Sequence, residues 1–233
     1  MPNSIRHRLC YARFLLSIIG AFAAASASAG FVTINPAELT QIFSQSSFGD
    51  NKLEVRVNPT VSVNAPGLQV INTEAQLNQL FALDKNNGPV IDVFFVDAIN
   101  ECGDVFLPAA IGCGEQQGNK LAVESDFAAQ PKGSGQIVSP GSVLIAHEIG
   151  HNLGLSHFGP PPDNLLNPSL SGNFDLTPEQ VAIILNSSLV QNQNGQEFIS
   201  VTPFAVVPEP TALFFALAGA ACLLTSRLRR TFV

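Results

Sequence analysis

The segment HEIGHNLGLSH, residues 147–157, constrains this chain more than any other. It holds three of the four histidines; the fourth, His7, lies near the N-terminus. Ser139 and Pro140 predict a helix start: a capping hydroxyl, then a proline where its missing N–H does no harm. His147 and His151, four apart, project from one face of that helix about a turn apart. Two ring nitrogens then reach one ion at the roughly 2.0–2.1 Å that zinc prefers. Gly154 lets the helix close in the left-handed conformation, and His157 then swings round as a third ligand. Glu148 is not required as a ligand. It places a carboxylate near the ion's water, as suits a general base. Three protein ligands and one open position describe a catalytic site, whereas a structural zinc site is closed by four. A surface helix with scattered histidines is the plainer alternative, but it leaves unexplained why residues 30–206 hold no other histidine.

The two ends differ from the middle. Arg6, Arg8 and Arg13 precede an apolar run, and Ala27-Ser28-Ala29 closes it with small residues. This order predicts a signal peptide over residues 1–29, removed by a signal peptidase. At the other end VPEP is followed by an uncharged, mostly apolar stretch, residues 211–226, and then by Arg227, Arg229 and Arg230. The stretch is slightly short for an unaided membrane span, and the basic end favours a cytoplasmic tail. The order resembles the PEP-CTERM sorting signal of Gram-negative bacteria that make exopolysaccharide. That resemblance covers residues 207–233 and implies an exosortase-type processing enzyme as partner. It also implies export to the cell surface or beyond, with transient anchoring by the C-terminal helix. Membrane contact is thus expected through the terminal segments alone.

Without its ends the chain is acidic. Between residues 30 and 206 the basic residues are Lys52, Arg56, Lys85, Lys120 and Lys132, and acidic residues far outnumber them. A basic nucleic-acid footprint is absent, so that class of partner is set aside. Cys10 and Cys222 fall in the terminal segments, leaving Cys102 and Cys113. In an oxidising compartment these two are expected to pair and staple a loop over residues 100–119. Their spacing does not suit the usual zinc ribbons. Asp97, Glu101 and Asp104 offer carboxylates for an additional calcium ion. Solvated loop carboxylates explain them more simply, and no EF-hand spacing occurs.

Residues 53–57 alternate apolar and charged side chains, as in a half-buried strand, and a second short strand follows at residues 60–63. Thr73 with Gln76 forms a capping box; Leu77, Leu80, Phe81 and Leu83 give that helix an apolar face, and Asn86-Asn87-Gly88 ends it. The apolar run from Val90 to Val96 reads as a central strand buried on both faces. Residues 120–125 form a short strand candidate. Thr177 and Gln180 cap a last helix, with Val181, Ile184, Leu185 and Leu189 toward its buried side. Residues 186–196, rich in Asn and Gln, fade toward the tail.

The full motif HExxHxxGxxH is the metzincin signature, and the element order around it is also similar to a metzincin catalytic domain. The resemblance implies an α+β fold over residues 30–206: a twisted mixed sheet packed on helices, with the zinc helix at the cleft floor. It implies that residues 120–125 form the sheet edge along which an extended peptide adds as a further strand. It further implies a zinc-dependent endopeptidase acting on protein or peptide substrates, with one catalytic Zn2+ on His147, His151 and His157. Glu148 would be general base to the zinc-activated water. Two positions depart from the pattern. Leu166 stands where the family carries a methionine under the zinc, with Pro168 following, and leucine's similar volume should pack there. Phe158 follows the third histidine and indicates no subfamily. Tyr11 is the only tyrosine, so help to an oxyanion must come from zinc or backbone N–H groups. The contrasting expectation is a non-catalytic matrix or surface protein that retains a structural zinc site.

Overall fold

The computed structural model describes residues 32–85, 88–103, 105–159, 163–170 and 172–207. The segment read as signal peptide and the tail beyond Val207 lie outside these residues, as do Asn86, Asn87 and Asp104. No helix among the described residues is long and apolar enough to cross a membrane.

The described residues open with α1 (Pro36–Ile42), where Asn35 accepts from the Glu38 N–H and proline takes the first turn. Strand β1 (Leu53–Val57) has the expected alternation, with Leu53 and Val55 buried, and β2 (Val61–Asn64) follows. After β3 (Val70–Ile71) comes α2 (Glu74–Phe81), with Leu77, Leu80 and Phe81 buried. Thr73 caps it by accepting from the Gln76 N–H, but the return arm of the box reaches one residue further. The Gln76 side chain accepts from the Asn72 N–H at 2.8 Å.

The long apolar run becomes β4 (Val90–Val96), buried from Ile91 to Val96. Residues 100–119 are not the single stapled loop that the cysteines suggested. They contribute to β5 (Ala98–Cys102), β6 (Val105–Ala110) and β7 (Gly112–Gly114) before β8 (Lys120–Glu124). Four-residue α3 (Ser125–Ala128) leads to α4 (Pro140–Asn152), which carries HExxH, and then to α5 (Pro178–Leu185). Thr177 and Gln180 complete a reciprocal capping box at α5, and Val181 and Ile184 are buried as expected.

The chain does not fade after α5. It forms β9 (Gln191–Gln193) and the twelve-residue β10 (Gln196–Val207). The main sheet runs β1-β10-β4-β8-β7, parallel along this path except for the antiparallel β7, with parallel β2 and antiparallel β9 also paired to β10. The last strand is therefore central. Its polar start and Pro203 hid it from periodicity, since proline is rare within a sheet interior. Val201 turns its carbonyl to the Asn58 N–H, so Pro203, two residues on, directs its missing N–H to the same side. That side is the break between β1 and β2.

One face of the sheet packs on α1, α4 and α5, with Phe95, Leu121, Leu144 and Ile149 in the core. The other packs on α2 and a second sheet, β3-β5-β6, where Phe94 stacks on Phe204 at 4.7 Å between ring centroids. The architecture is the mixed sheet with few helices expected of a metzincin-like domain. Lys120 ties α2 to this sheet: its ammonium donates to the carbonyls of Phe81 and Asp84, each at 2.7 Å. Asp92 on β4 is buried there beside Asp84.

Candidate metal centre

Helix α4 is buried on almost every side, because it fills the space between the sheet and the C-terminal segment. Its start is held in two ways. Ser139 caps the Ser142 N–H, and the Glu38 carboxylate accepts from the Ser139 N–H and from both serine hydroxyls at 2.7–2.9 Å. An acidic group at a helix N-terminus is also favoured by the helix dipole. The end closes at Gly154, φ +103°. Its N–H donates to His151 O and the Leu155 N–H to Gly150 O, each at 2.9 Å, the paired bonds of a glycine-terminated helix.

This exit turns His157 back to the helix. The three Nε2 atoms form a nearly equilateral triangle: 3.2 Å from His147 to His151, 3.2 Å from His151 to His157 and 3.3 Å from His147 to His157. Among the described residues it is the only set of three or more His, Cys, Asp or Glu side chains converging as metal ligands. The His147 Nδ1 faces the Leu165 carbonyl at 2.7 Å, and the His151 Nδ1 faces the Leu155 carbonyl at 2.8 Å. A carbonyl only accepts, so each ring carries its proton on Nδ1 and aims the Nε2 lone pair at the centre. Burial pushes His147 down to about 4 and lowers His151 and His157 as well. Neutral imidazoles with converging lone pairs fit a zinc ion at roughly 2.0–2.1 Å from each nitrogen.

The Glu148 side chain lies against Gly112 and Gly114 at the sheet edge and is only 5 % exposed. Burial raises its carboxyl to about 8, opposed by the Gly114 N–H that faces it. The edge is not β8, as the resemblance implied. Residues 120–124 pair with β4 on one side and β7 on the other, and Ser125 already belongs to α3. Antiparallel β7 covers β8, so among the described residues β7 is the free edge at the cleft. Cys102 and Cys113 are bonded, with Cα atoms 5.8 Å apart. The bond joins the end of β5 to the middle of this edge strand.

Leu166 is fully buried, with its methyl groups against Gly150 of α4. Its carbonyl accepts from the Phe158 N–H at 2.8 Å, which couples the turn to the residue after His157. Pro168 lines the cleft with Ser169 and Leu170. Of the carboxylates weighed for calcium, Glu101 accepts from the Glu74 N–H at the start of α2 at 2.8 Å. Burial raises Asp97.

The cleft has two parts that meet at Gly112, Glu148 and His157. One, about 680 Å3, is lined by Ile111, Phe127, Leu144 and Leu170. The other, about 460 Å3, is bounded by the disulfide, Gln116 and Ser156. Reading the sequence alone overlooks Gly112 and Gly114 and the carbonyls of Leu155 and Leu165. The Gly-Cys-Gly triplet was the available signal, since paired glycines in a strand mark a close approach.

Fold and site together are those of a metallopeptidase-like domain with a three-histidine centre. Residues 45–158 match the family described as metallo-peptidase family M12B, reprolysin-like. This match supports a zinc-dependent metallopeptidase, and it ends just after His157, before Leu166 and β10. No curated protein and no solved structure matches the chain.

Proposed function

We propose that the protein is an exported or surface-displayed zinc-dependent endopeptidase. The observation that carries this reading is the Nε2 triangle with Glu148 beside it on the same helix. His147, His151 and His157 would hold the ion. Zinc, when bound, lowers the pKa of a water toward about 7 and polarises a carbonyl oxygen. A bound cation's charge would favour the ionised carboxylate against its burial, and Glu148 then accepts the proton of the attacking water and passes it to the departing amine, so that the nitrogen leaves neutral. The outward-facing backbone groups of β7 that Glu148 leaves open align an extended substrate. The larger apolar recess, walled by Phe127, Leu144 and Leu170, takes an apolar side chain next to the scissile bond.

Export rests on the N-terminal basic-apolar-small order, and surface display on the VPEP-apolar-basic tail. The test is cleavage of casein or gelatin by purified protein with and without a chelator. Glu148→Ala should keep zinc and lose turnover. Undiminished activity in that variant would reject its role. Full zinc occupancy with no cleavage of a peptide library would favour a non-catalytic surface protein instead.

A further inference from the structure

We propose that the edge strand β7 is the positioning element for Glu148: Gly112 and Gly114 admit and hold its carboxylate, and the Cys102–Cys113 disulfide fixes the strand from its other face. This rests on the reading of Glu148 as general base.

The strand's hydrogen bonding sets the geometry. Glu115 donates to Lys120 O and Glu124 to Ile111 O, with Cys113 opposite Ala122. Odd-numbered residues of β7 therefore bond β8, and the N–H and C=O groups of Gly112 and Gly114 point away from the sheet. One of these, the Gly114 N–H, faces the Glu148 carboxylate. Side chains alternate along a strand, so positions 112 and 114 both face α4 and Cys113 faces the second sheet. A methyl group on Gly112 would come within 2.8 Å of Glu148 Cδ and 2.9 Å of Cγ. One on Gly114 would lie 3.0 Å from the Glu148 carbonyl oxygen and 3.1 Å from Oε2. Only hydrogen fits at either place without moving the carboxylate or the strand.

A three-residue edge strand has one neighbour and frays easily. The disulfide ties its central residue to β5, which belongs to the other sheet. Register and distance to α4 are thereby held from both faces. A Cβ on Gly112 meets the Glu148 side chain first, whereas one on Gly114 would also lie 3.5 Å from His151 Cβ. Gly112 is therefore the position that reports on the carboxylate.

Amide exchange and kinetics together test this in the full protein. The Gly114 amide should exchange slowly in wild type and at least tenfold faster in Glu148→Ala, with the Glu115 amide, bonded to β8, unchanged. Gly112→Ala should retain zinc, lower kcat at least tenfold and leave KM within about twofold. The Cys102→Ser/Cys113→Ser pair should lose the Gly114 protection while α4 amides stay protected. Equal Gly114 exchange in wild type and Glu148→Ala would overturn the proposal. So would an unchanged kcat in Gly112→Ala. If wild type cleaves nothing yet Gly114 is protected only when Glu148 is present, the positioning contact stands and the catalytic reading fails.

Discussion

Leu166 packs directly against Gly150 on the underside of the metal helix. A Cβ placed on Gly150 would lie 3.1 Å from Leu166 Cδ2 and 3.4 Å from Cδ1. The glycine thus lets the turn press against the helix between His147 and His151. Leu166→Ala opens a cavity there and should lower stability by about 2–5 kcal/mol. Leu166→Met conserves volume and should change it by less than about 1.5 kcal/mol, with zinc retained. Chemical denaturation of both variants, with metal analysis, checks this.

Gly154 sets a second expectation. An alanine at φ +103° is strained, and a neighbouring Ile183 methyl lies 3.4 Å from the added carbon. Gly154→Ala should therefore destabilise the fold by about 1–3 kcal/mol. It should also weaken zinc binding, because the same turn places His157 and the Leu155 carbonyl. Competition against a chromogenic chelator measures the affinity.

The buried imidazoles make a prediction about pH. Protons compete with zinc for Nε2, and burial lowers all three histidines, His147 to about 4. Zinc should consequently remain bound as pH falls through 6.5, the ordinary histidine value, and dissociate only at lower pH. Equilibrium dialysis across pH 4–8 gives the midpoint; release centred at 6.5 or above would contradict it.

Asp92 governs stability at the opposite end of the scale. Burial and the adjacent Asp84 raise its carboxyl from 3.8 to about 8. The folded protein keeps this proton where the unfolded chain has released it. Its contribution is therefore fully present below about pH 4 and is lost as pH rises toward 8. The loss is on the order of a few kcal/mol. Asp92→Asn should flatten that decline, as read from Tm at pH 5 and pH 8.

Much of the site was legible before any fold. Four-residue spacing on a helix puts His147 and His151 on one face whatever surrounds them, and a glycine exit returns the chain within three residues. The caps at Ser139 and Thr177 are equally local, because each joins a side chain to an N–H three residues away. The disulfide was legible from elimination among four cysteines. The edge strand was not. Residues 120–125 and 112–114 are both short, and nothing local states which lies outermost. β10 escaped for a related reason: Pro203 and the polar Gln196 and Glu197 contradict a central strand until the break between β1 and β2 is seen.

By itself, then, the sequence determined the ligand set, the helix that bears two of its members and the turn that delivers the third. These depend on contacts within a few residues, where chain geometry leaves little freedom. Tertiary structure alone decided which strand borders the cleft, how deeply Glu148 is buried beneath it, and that residues 196–207 run through the centre of the sheet. Those outcomes depend on pairing between segments up to about 140 residues apart, where hydrogen bonds and buried area, not local pattern, select the partner.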